Sequence, residues 1–339
     1  MHIDEQFMMR CIELAQLARG YVAPNPMVGA VIVHDAKIIG EGYHQCYGEV
    51  HAEINAINSV KDKSLLENAT IYVSLEPCSH FGKTPPCVDQ IVHHKFKRVV
   101  IGCNDTYSEV NGSGIKKLQE SQIDVSLGVL EKQCRELNRH FFTFHEKNRP
   151  YVLLKWAQTS KGFLDDHGKP AKISSLESQT LVHTWRMQHQ AILVGRRTVE
   201  NDNPSLSVRS VKGPNPTRVI IDPSAQLHES KNVFNKEADT IIINTMKHEV
   251  KDNISYIQLK EIDIPSVLNV LFSLNIQSVL IEGGGKTLQS FIDSKLWDEA
   301  KVIIGKKEFQ SGTPAPELNN INFTKETFFS DTIKSYTNV

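Results

Sequence analysis

Apolar positions along this chain recur at two periods, and the period switches repeatedly. Ile3, Phe7, Cys11, Leu14 and Ala18 fall at helical spacing and predict an amphipathic opening helix. Val28 to Val33 is a continuous apolar run suited to a buried strand. His34-Asp35-Ala36-Lys37 reads as a hairpin turn into a second strand, Ile38 to Tyr43. A helix then opens near His51, with Ala52, Ala56 and Val60 as its apolar set. Strand Thr70 to Leu75 follows, then a helix that starts with Cys87 in its first turn, just after Pro85-Pro86. Strand Arg98 to Gly102, helix Gly114 to Glu120 and strand Ile123 to Leu127 continue the alternation. A helix from Glu131 to His145, turning Cys134, Leu137, Phe141 and Phe144 inward, closes this half. Helices interleaved with short apolar strands predict a layered α/β fold.

Glu146-Lys147-Asn148-Arg149-Pro150 is charged and Pro-terminated, which marks a boundary. The pattern restarts with strand Tyr151 to Gln158 and a helix from Ser175, a suitable N-cap, to Gln188. Strands follow at Ala191 to Gly195, Thr217 to Asp222 and Thr240 to Asn244. Strand Ser278 to Glu282 runs into Gly283-Gly284-Gly285 and a helix from Thr287 to Leu296. Strand, glycines, helix is an arrangement that lets backbone N–H groups approach a phosphate. No Gly-Lys-Ser/Thr follows four residues after a glycine, as a P-loop requires, and the run lies too near the C-terminus for a first dinucleotide-binding unit.

A length of 339 residues exceeds one ordinary core and predicts two domains, residues 1–147 and 148–339. A hydrophobic content of 40% with mixed charge describes a globular chain. A net charge of −1 offers no footprint for nucleic acid. No apolar run approaches membrane-spanning length, and the acidic N-terminus does not read as a signal peptide. Six cysteines in a chain of this size make no disulfide framework. The expected compartment is the cytoplasm.

Two of those cysteines carry the chemistry. His51-Ala52-Glu53, Glu76-Pro77-Cys78 and Thr84-Pro85-Pro86-Cys87 provide one His, two Cys and one further Glu. A catalytic zinc takes three protein ligands and keeps its fourth position for water. His51, Cys78 and Cys87 are the candidate ligands, and Glu53 the candidate proton carrier between that water and a substrate. Residues i and i+2 of a helix point roughly 200° apart. His51 and Glu53 therefore meet one metal only if His51 stands at the helix mouth. The order His-x-Glu then Pro-Cys then Cys is the signature of zinc deaminases acting on nucleobases. Eight residues separate Cys78 from Cys87, more than the usual two, and they include His80 and Lys83. An insert with those groups suits a phosphorylated substrate.

The run Glu76 to Cys87, with Pro24-Asn25-Pro26-Met27-Val28-Gly29 and Gly42-Tyr43-His44, resembles the deaminase domain of the RibD family, bifunctional enzymes of riboflavin biosynthesis. Lys155 to Gln158, Ile192 to Gly195, Thr198 to Leu206 with Arg209, Arg218 to Asp222 and Ile281 to Gly284 resemble the reductase domain of that family. The resemblance spans nearly the whole chain. It implies a cytidine-deaminase-like three-layer α/β/α domain followed by a dihydrofolate-reductase-like α/β domain. It implies zinc, one per chain, and NADPH as cofactors. The implied reactions are hydrolytic deamination of 2,5-diamino-6-(5-phosphoribosylamino)pyrimidin-4-one and NADPH reduction of 5-amino-6-(5-phosphoribosylamino)uracil to the ribityl product. Carried over by position, Asn25, His44, His80 and Lys83 contact the deaminase substrate. Ala157, Thr198, Asp202 and the run Gly284, Gly285, Lys286, Thr287, Leu288, Gln289 and Ser290 contact NADPH. Arg186, Leu206, Arg209 and Glu282 contact the reductase substrate. A homodimer formed through the second domain is the family expectation.

Two positions depart from the family pattern. Lys161-Gly162 stands where the family has Asp-Gly, and Lys172 precedes Ile173-Ser174 where the family has Trp. These departures keep one alternative open: a zinc deaminase of another base or nucleotide whose C-terminal half is a non-catalytic binding or dimerisation module.

Overall fold

The computed structural model describes residues 2–79, 85–106 and 112–338. Its contacts divide into two compact units, Met1–Asn148 and Arg149–Val339.

The first unit is built on a five-stranded sheet. Helix α1 (Ile3–Gln16) leads into β1 (Gly29–His34) and β2 (Lys37–Tyr43), an antiparallel hairpin in which Gly29 faces Tyr43. Asp35 and Ala36 form its turn with φ of 49° and 59°, the two left-handed residues that a tight hairpin needs to match strand twist. Then come α2 (Ala52–Ser59), β3 (Thr70–Val73), α3 (Cys87–His93), β4 (Arg98–Ile101), α4 (Ser113–Glu120), β5 (Asp124–Leu127), α5 (Glu131–Leu137) and α6 (Arg139–Lys147). The strand order is β2-β1-β3-β4-β5, with β3, β4 and β5 mutually parallel. Alternation along the strands sorts the side chains into two cores. Ala30, Ile32, Ile71, Val73, Val99 and Ile101 pack with Ala52, Ala56, Val88, Ile91 and Leu118 from α2, α3 and α4. Val31, Val33, Tyr72 and Val100 pack with Met8, Cys11, Cys134 and Phe141 from α1, α5 and α6.

The sequence pattern predicts one helix from Glu131 to His145, and the structure breaks it at Asn138 (φ −108°, ψ 27°). The Asn138 side chain accepts from the Met27 amide at 2.7 Å and donates to the Met27 carbonyl at 2.8 Å. A residue that satisfies another segment's backbone on both sides has reason to leave helical geometry.

The second unit is a ten-stranded sheet in the order β10-β11-β9-β8-β7-β12-β6-β13-β15-β14. Its elements are β6 (Tyr151–Thr159), α7 (Leu176–Gln188), β7 (Ala191–Gly195), α8 (Arg196–Asp202), β8 (Thr217–Ile221), β9 (Thr240–Asn244), β10 (Glu249–Lys251), β11 (Ile254–Gln258), α9 (Ile264–Ser273), β12 (Ser278–Ile281), α10 (Gly285–Ser294), β13 (Glu299–Gly305), β14 (Phe323–Phe328) and β15 (Asp331–Thr337). The seven strands from β11 to β13 in that order run parallel, and the margins are antiparallel. One face packs Val152, Leu154, Leu193 and Ile281 on Val267, Leu271, Leu288 and Phe291 of α9 and α10. The other packs Leu153, Ile192, Val194, Ile220 and Leu280 with Leu206 and Trp185. Ser175 caps α7, accepting from the Ser178 amide at 3.2 Å. The sequence pattern predicts no elements over residues 249–273 or 299–337, where the structure has α9 and five strands. In β14 five of six residues are exposed, so burial imposes no alternating pattern there.

No helix among the described residues is long and apolar enough to cross a membrane.

Candidate active sites

The first site gathers at the carboxyl end of β3 and the openings of α2 and α3. His51 is the N-cap of α2, with extended backbone (φ −73°, ψ 162°). Standing outside the regular turn, it shares a site with Glu53 despite their spacing of two. Pro86 is the N-cap of α3, which places Cys87 at the first helical position. Strand β3 stops at Val73, earlier than the pattern suggests. Ser74 and Gly29 exchange bonds there, the Ser74 amide to the Gly29 carbonyl and the Gly29 amide to Ser74 Oγ, both at 3.1 Å. The chain then turns through Glu76 and Pro77 to Cys78.

His51 Nδ1, Cys78 Sγ and Cys87 Sγ all lie within 4.8 Å of one another. The two N···S separations are 3.5 Å to Cys78 and 3.3 Å to Cys87. A tetrahedral zinc with ordinary Zn–S and Zn–N bonds sets its N and S ligands roughly 3.6 Å apart. One imidazole and two thiols at those separations therefore fit that ion. The Cys87 amide donates to Cys78 Sγ at 3.3 Å, and the Val88 amide to the Cys78 carbonyl at 3.2 Å. Hydrogen bonding by the Cys87 thiol, and against burial by His51 and the Cys87 amide, brings the Cys78 thiol down to about 4. A thiolate is the metal-binding form. The hydrogen bond to Cys78 raises His51, while the bond to Cys78 and then burial push Cys87 up. Glu53 is 3% exposed. Burial first, then the charge of Cys78, pushes its carboxyl up to about 7.

Asn25 and His44 come together beside this set. Asn25 Nδ2 lies 3.1 Å from His44 Nε2, and His44 Nδ1 lies 3.2 Å from the Val50 carbonyl. A carbonyl only accepts, so the proton is on Nδ1 and Nε2 accepts from Asn25. Burial lowers His44, in keeping with this neutral tautomer. The Asn25 carbonyl oxygen is thereby left to face elsewhere. The His44 and His51 rings meet edge to face, 5.3 Å between centroids. His80 and Lys83 lie outside the described residues.

In the second unit the expected positions collect at the carboxyl ends of the neighbouring parallel strands β7, β12 and β6. Gly284 is left-handed (φ +61°), and a Cβ there would sit 3.2 Å from Thr198 Oγ1. Thr198 and the opening of α10 are thus adjacent. The first amides of α10 have no acceptor within the helix. The expected run divides along its length. Leu288 is 1% exposed, within the core, and its amide bonds the Gly284 carbonyl. Gln289 donates to Asp293 and accepts from the Glu317 amide, and Ser290 Oγ bonds the Lys286 carbonyl. This leaves Gly284, Gly285, Lys286 and Thr287 at the mouth of the helix. Ala157 lies near the end of β6 opposite Ile303, and Asp202 is exposed at the end of α8.

Arg186 and Glu282, both expected to contact the reductase substrate, are paired with each other in the structure. Arg186 Nε and Nη2 bind both oxygens of Glu282 at 2.7 and 2.8 Å, and Nη1 donates to the Ser207 carbonyl at 3.1 Å. Three of its five N–H donors are committed. Lys155, which belongs to the run Lys155 to Gln158 but is given no role by the resemblance, stands 3.7 Å from Glu282. Burial pushes Glu282 upward, but Arg186 and Lys155 together hold it down at about 2. Lys155 is itself lowered by burial. Arg209 remains an exposed cation, with its amide on His183 Nδ1 and Nη1 on Ser207 Oγ. Leu206 is buried with left-handed backbone (φ +51°). That conformation is costly for Leu, and the next residue is the Ser207 that both arginines use. Beneath this loop Arg218, 0% exposed, donates to the Ser205, Val233 and Asn235 carbonyls. Its anchoring role depends on contacts distant in sequence.

Residues 1–103 match the cytidine and deoxycytidylate deaminase zinc-binding region, and residues 150–307 match the RibD C-terminal domain. The chain is 40% identical over 324 residues to riboflavin biosynthesis protein RibD of Aquifex aeolicus, covering 93% of this chain and 90% of that one. It is 40% identical over 335 residues to RibD of Bacillus amyloliquefaciens, covering 93% and 88%. Among solved structures, a diaminohydroxyphosphoribosylaminopyrimidine deaminase/5-amino-6-(5-phosphoribosylamino)uracil reductase from Thermotoga maritima matches with a TM-score of 0.91. That match has 36% identity and covers 100% of this chain and 99% of the other. The two α/β units accordingly have the expected classes, cytidine-deaminase-like first and dihydrofolate-reductase-like second.

Proposed function

The chain belongs to the RibD family of riboflavin-biosynthesis proteins, and from that membership we propose how its own residues divide two reactions. It is a deaminase and a reductase in one polypeptide, dependent on zinc and NADPH. The substrate class is a phosphoribosylated diaminopyrimidine, deaminated first and reduced afterwards at the ribosyl group.

In the first unit His51, Cys78 and Cys87 hold the metal. Bound there, zinc supplies a Lewis acid that makes water acidic enough to ionise near neutral pH. Glu53 moves protons from that water to the ring nitrogen and then to the departing ammonia. Asn25, oriented by His44, offers its carbonyl oxygen to N–H donors of the pyrimidine. The observation that carries this reading is three metal-ligating atoms within 4.8 Å with a buried carboxyl two residues from His51 on the same helix opening.

In the second unit Thr198 and the α10 opening, Gly284 to Thr287, bind the cofactor. NADPH held there would supply a hydride for C1′ of the ribosyl group; the C1′ bond to the ring oxygen breaks and that oxygen gains a proton, which leaves an open ribityl chain. Arg209 holds the ribose phosphate through charge-assisted bonds. Arg186 and Lys155 keep Glu282 ionised so that its carboxylate meets N–H donors of the substrate.

A coupled assay on the purified chain, with and without a zinc chelator, tests both halves. Expected is stoichiometric zinc, ammonia release that stops with chelation, and NADPH-dependent reduction of separately supplied deaminated product that does not. Protein without zinc would sink the first half, and absent NADPH turnover the second.

A further inference from the structure

Glu76 stands two residues before Cys78 and takes no part in the reactions above. It is 4% exposed. Its amide continues the strand ladder by donating to the Cys103 carbonyl at 3.0 Å. Among the described residues, its carboxylate accepts four main-chain N–H bonds. Oε1 takes Gly114 at 3.0 Å and Ile115 at 3.3 Å, and Oε2 takes Gly112 at 3.0 Å and Asp105 at 3.3 Å. Gly112 is the N-cap of α4, and Gly114 and Ile115 lie in its first turn. A helix start leaves such amides without intrahelical acceptors and carries positive partial charge. Gly112 has no side chain to cap them, so the cap comes from Glu76, far away in sequence.

Two more contacts join the same segments. A Cβ on Gly114 would lie 2.4 Å from the Pro77 carbonyl oxygen, so α4 presses directly on the peptide that leads into Cys78. Ser79 Oγ and Ser113 Oγ are 2.6 Å apart. Residues 76, 77 and 79, which surround Cys78, are thus all tied to the first turn of α4. On its other side Cys78 is bonded to the first turn of α3 through the Cys87 and Val88 amides. An ion pair between Lys117 and Asp89 links α4 to α3.

We propose that Glu76 is a positioning residue for the metal site: through the first turn of α4, its carboxylate sets where Cys78 stands relative to His51 and Cys87. This rests on reading those three residues as zinc ligands. The role requires a carboxylate. Four donors converge on two oxygens, and each oxygen accepts two. An amide of the same shape turns an NH2 group toward two of those donors, so no orientation of Gln satisfies the cradle. Partners that orient a metal's ligands from behind typically account for about 10–100-fold in affinity.

The test is the rate at which the zinc-loaded full chain gives up zinc to a chromophoric chelator. Glu76→Gln is expected to release zinc about 10–100-fold faster and to lose deaminase activity that added zinc restores. NADPH oxidation on the same chain should stay unchanged, with circular dichroism confirming that the protein is folded. Gly114→Ala disturbs the same interface without removing the charge, and its zinc release should also accelerate. A purely structural role for Glu76 would lower the melting temperature and leave the release rate of the folded protein alone. Zinc release at the wild-type rate in folded Glu76→Gln overturns the proposal. If that variant does not fold, Gly114→Ala decides, and a wild-type rate there overturns it equally. Wild-type protein that binds no zinc instead defeats the assignment of His51, Cys78 and Cys87.

Discussion

The two halves of this chain use charge in opposite ways. Around His51, Cys78 and Cys87 the polar atoms converge on one point, and Glu53 is pushed up to about 7 by burial beside them. Around Glu282 the charges neutralise one another: Arg186 takes both carboxylate oxygens, Lys155 stands 3.7 Å away, and the carboxyl is held at about 2. On the proposed function, the first half assembles a reactive centre from its own side chains. On the same proposal the second builds an ion-paired frame, since hydride chemistry belongs to the cofactor and the protein's task is orientation. A site of the first kind should fail when one functional group is removed. A site of the second kind should fail when its frame is loosened.

Glu53→Gln breaks the contrast most sharply. Removing a proton carrier should lower ammonia release by about 10²–10⁴-fold with NADPH-dependent reduction of separately supplied deaminated product unchanged. Equal losses in both assays would show that the halves are not separable. Glu282→Gln comes next. It leaves Arg186 and Lys155 buried without their counter-charge, a loss on the order of 3–5 kcal/mol, read as a lower melting point of the second unit and loss of reductase turnover. Deaminase activity should survive it.

The same pair has a pH signature. The Glu282 carboxyl sits at about 2, below its ordinary 4.5, so the folded state favours the ionised form. Its contribution is complete above the unfolded value and disappears as pH falls through the folded one. The stability gap between wild type and Glu282→Gln should therefore be constant above about pH 5 and narrow as pH drops from 4.5 towards 2. A gap that widens on acidification would reverse the assignment.

Smaller effects sharpen the comparison. Arg209→Ala removes an exposed cation and should raise the reductase KM by roughly 30-fold, the equivalent of one charge-assisted bond of about 2 kcal/mol, with kcat little changed. Lys161→Ala should be nearly silent. Its ion pair with Glu308 is 3.3 Å long between exposed groups, and such pairs contribute about 0–1 kcal/mol. A large change in reductase KM would show that this departure from the family's Asp acts on the reaction.

The legibility of the chain followed the same divide. The helix starts at His51 and Cys87 could be located because a spacing of two and a Pro-Pro-Cys run each constrain local backbone. Strands with continuous apolar runs, such as β1 and β7, were equally readable. The helix break at Asn138 was not, since its cause is Met27, more than a hundred positions away. Strand β14 escaped for a related reason: a marginal, exposed strand is defined by its neighbour rather than by its own pattern. In the second unit the motif residues were identifiable, but the burial of Leu288 and the pairing of Arg186 with Glu282 were not.

The sequence by itself determined the candidate metal ligands and proton carrier of the first site, because metal chemistry demands particular atoms and His, Cys and Glu declare them. It also determined the two-part α/β plan, because apolar periodicity is a local record of which face is buried. Tertiary structure alone decided which charges are free and which are spent. Arg186, Arg209 and Arg218 are the same residue in the sequence. One is paired with Glu282, one is exposed, and one is buried beneath the Ser205 carbonyl. Tertiary structure also decided that Glu76, a neighbour of the metal set in sequence, serves a helix that begins thirty-seven positions later. Hydrogen-bond partners and desolvation are properties of the assembled fold, and no local pattern carries them.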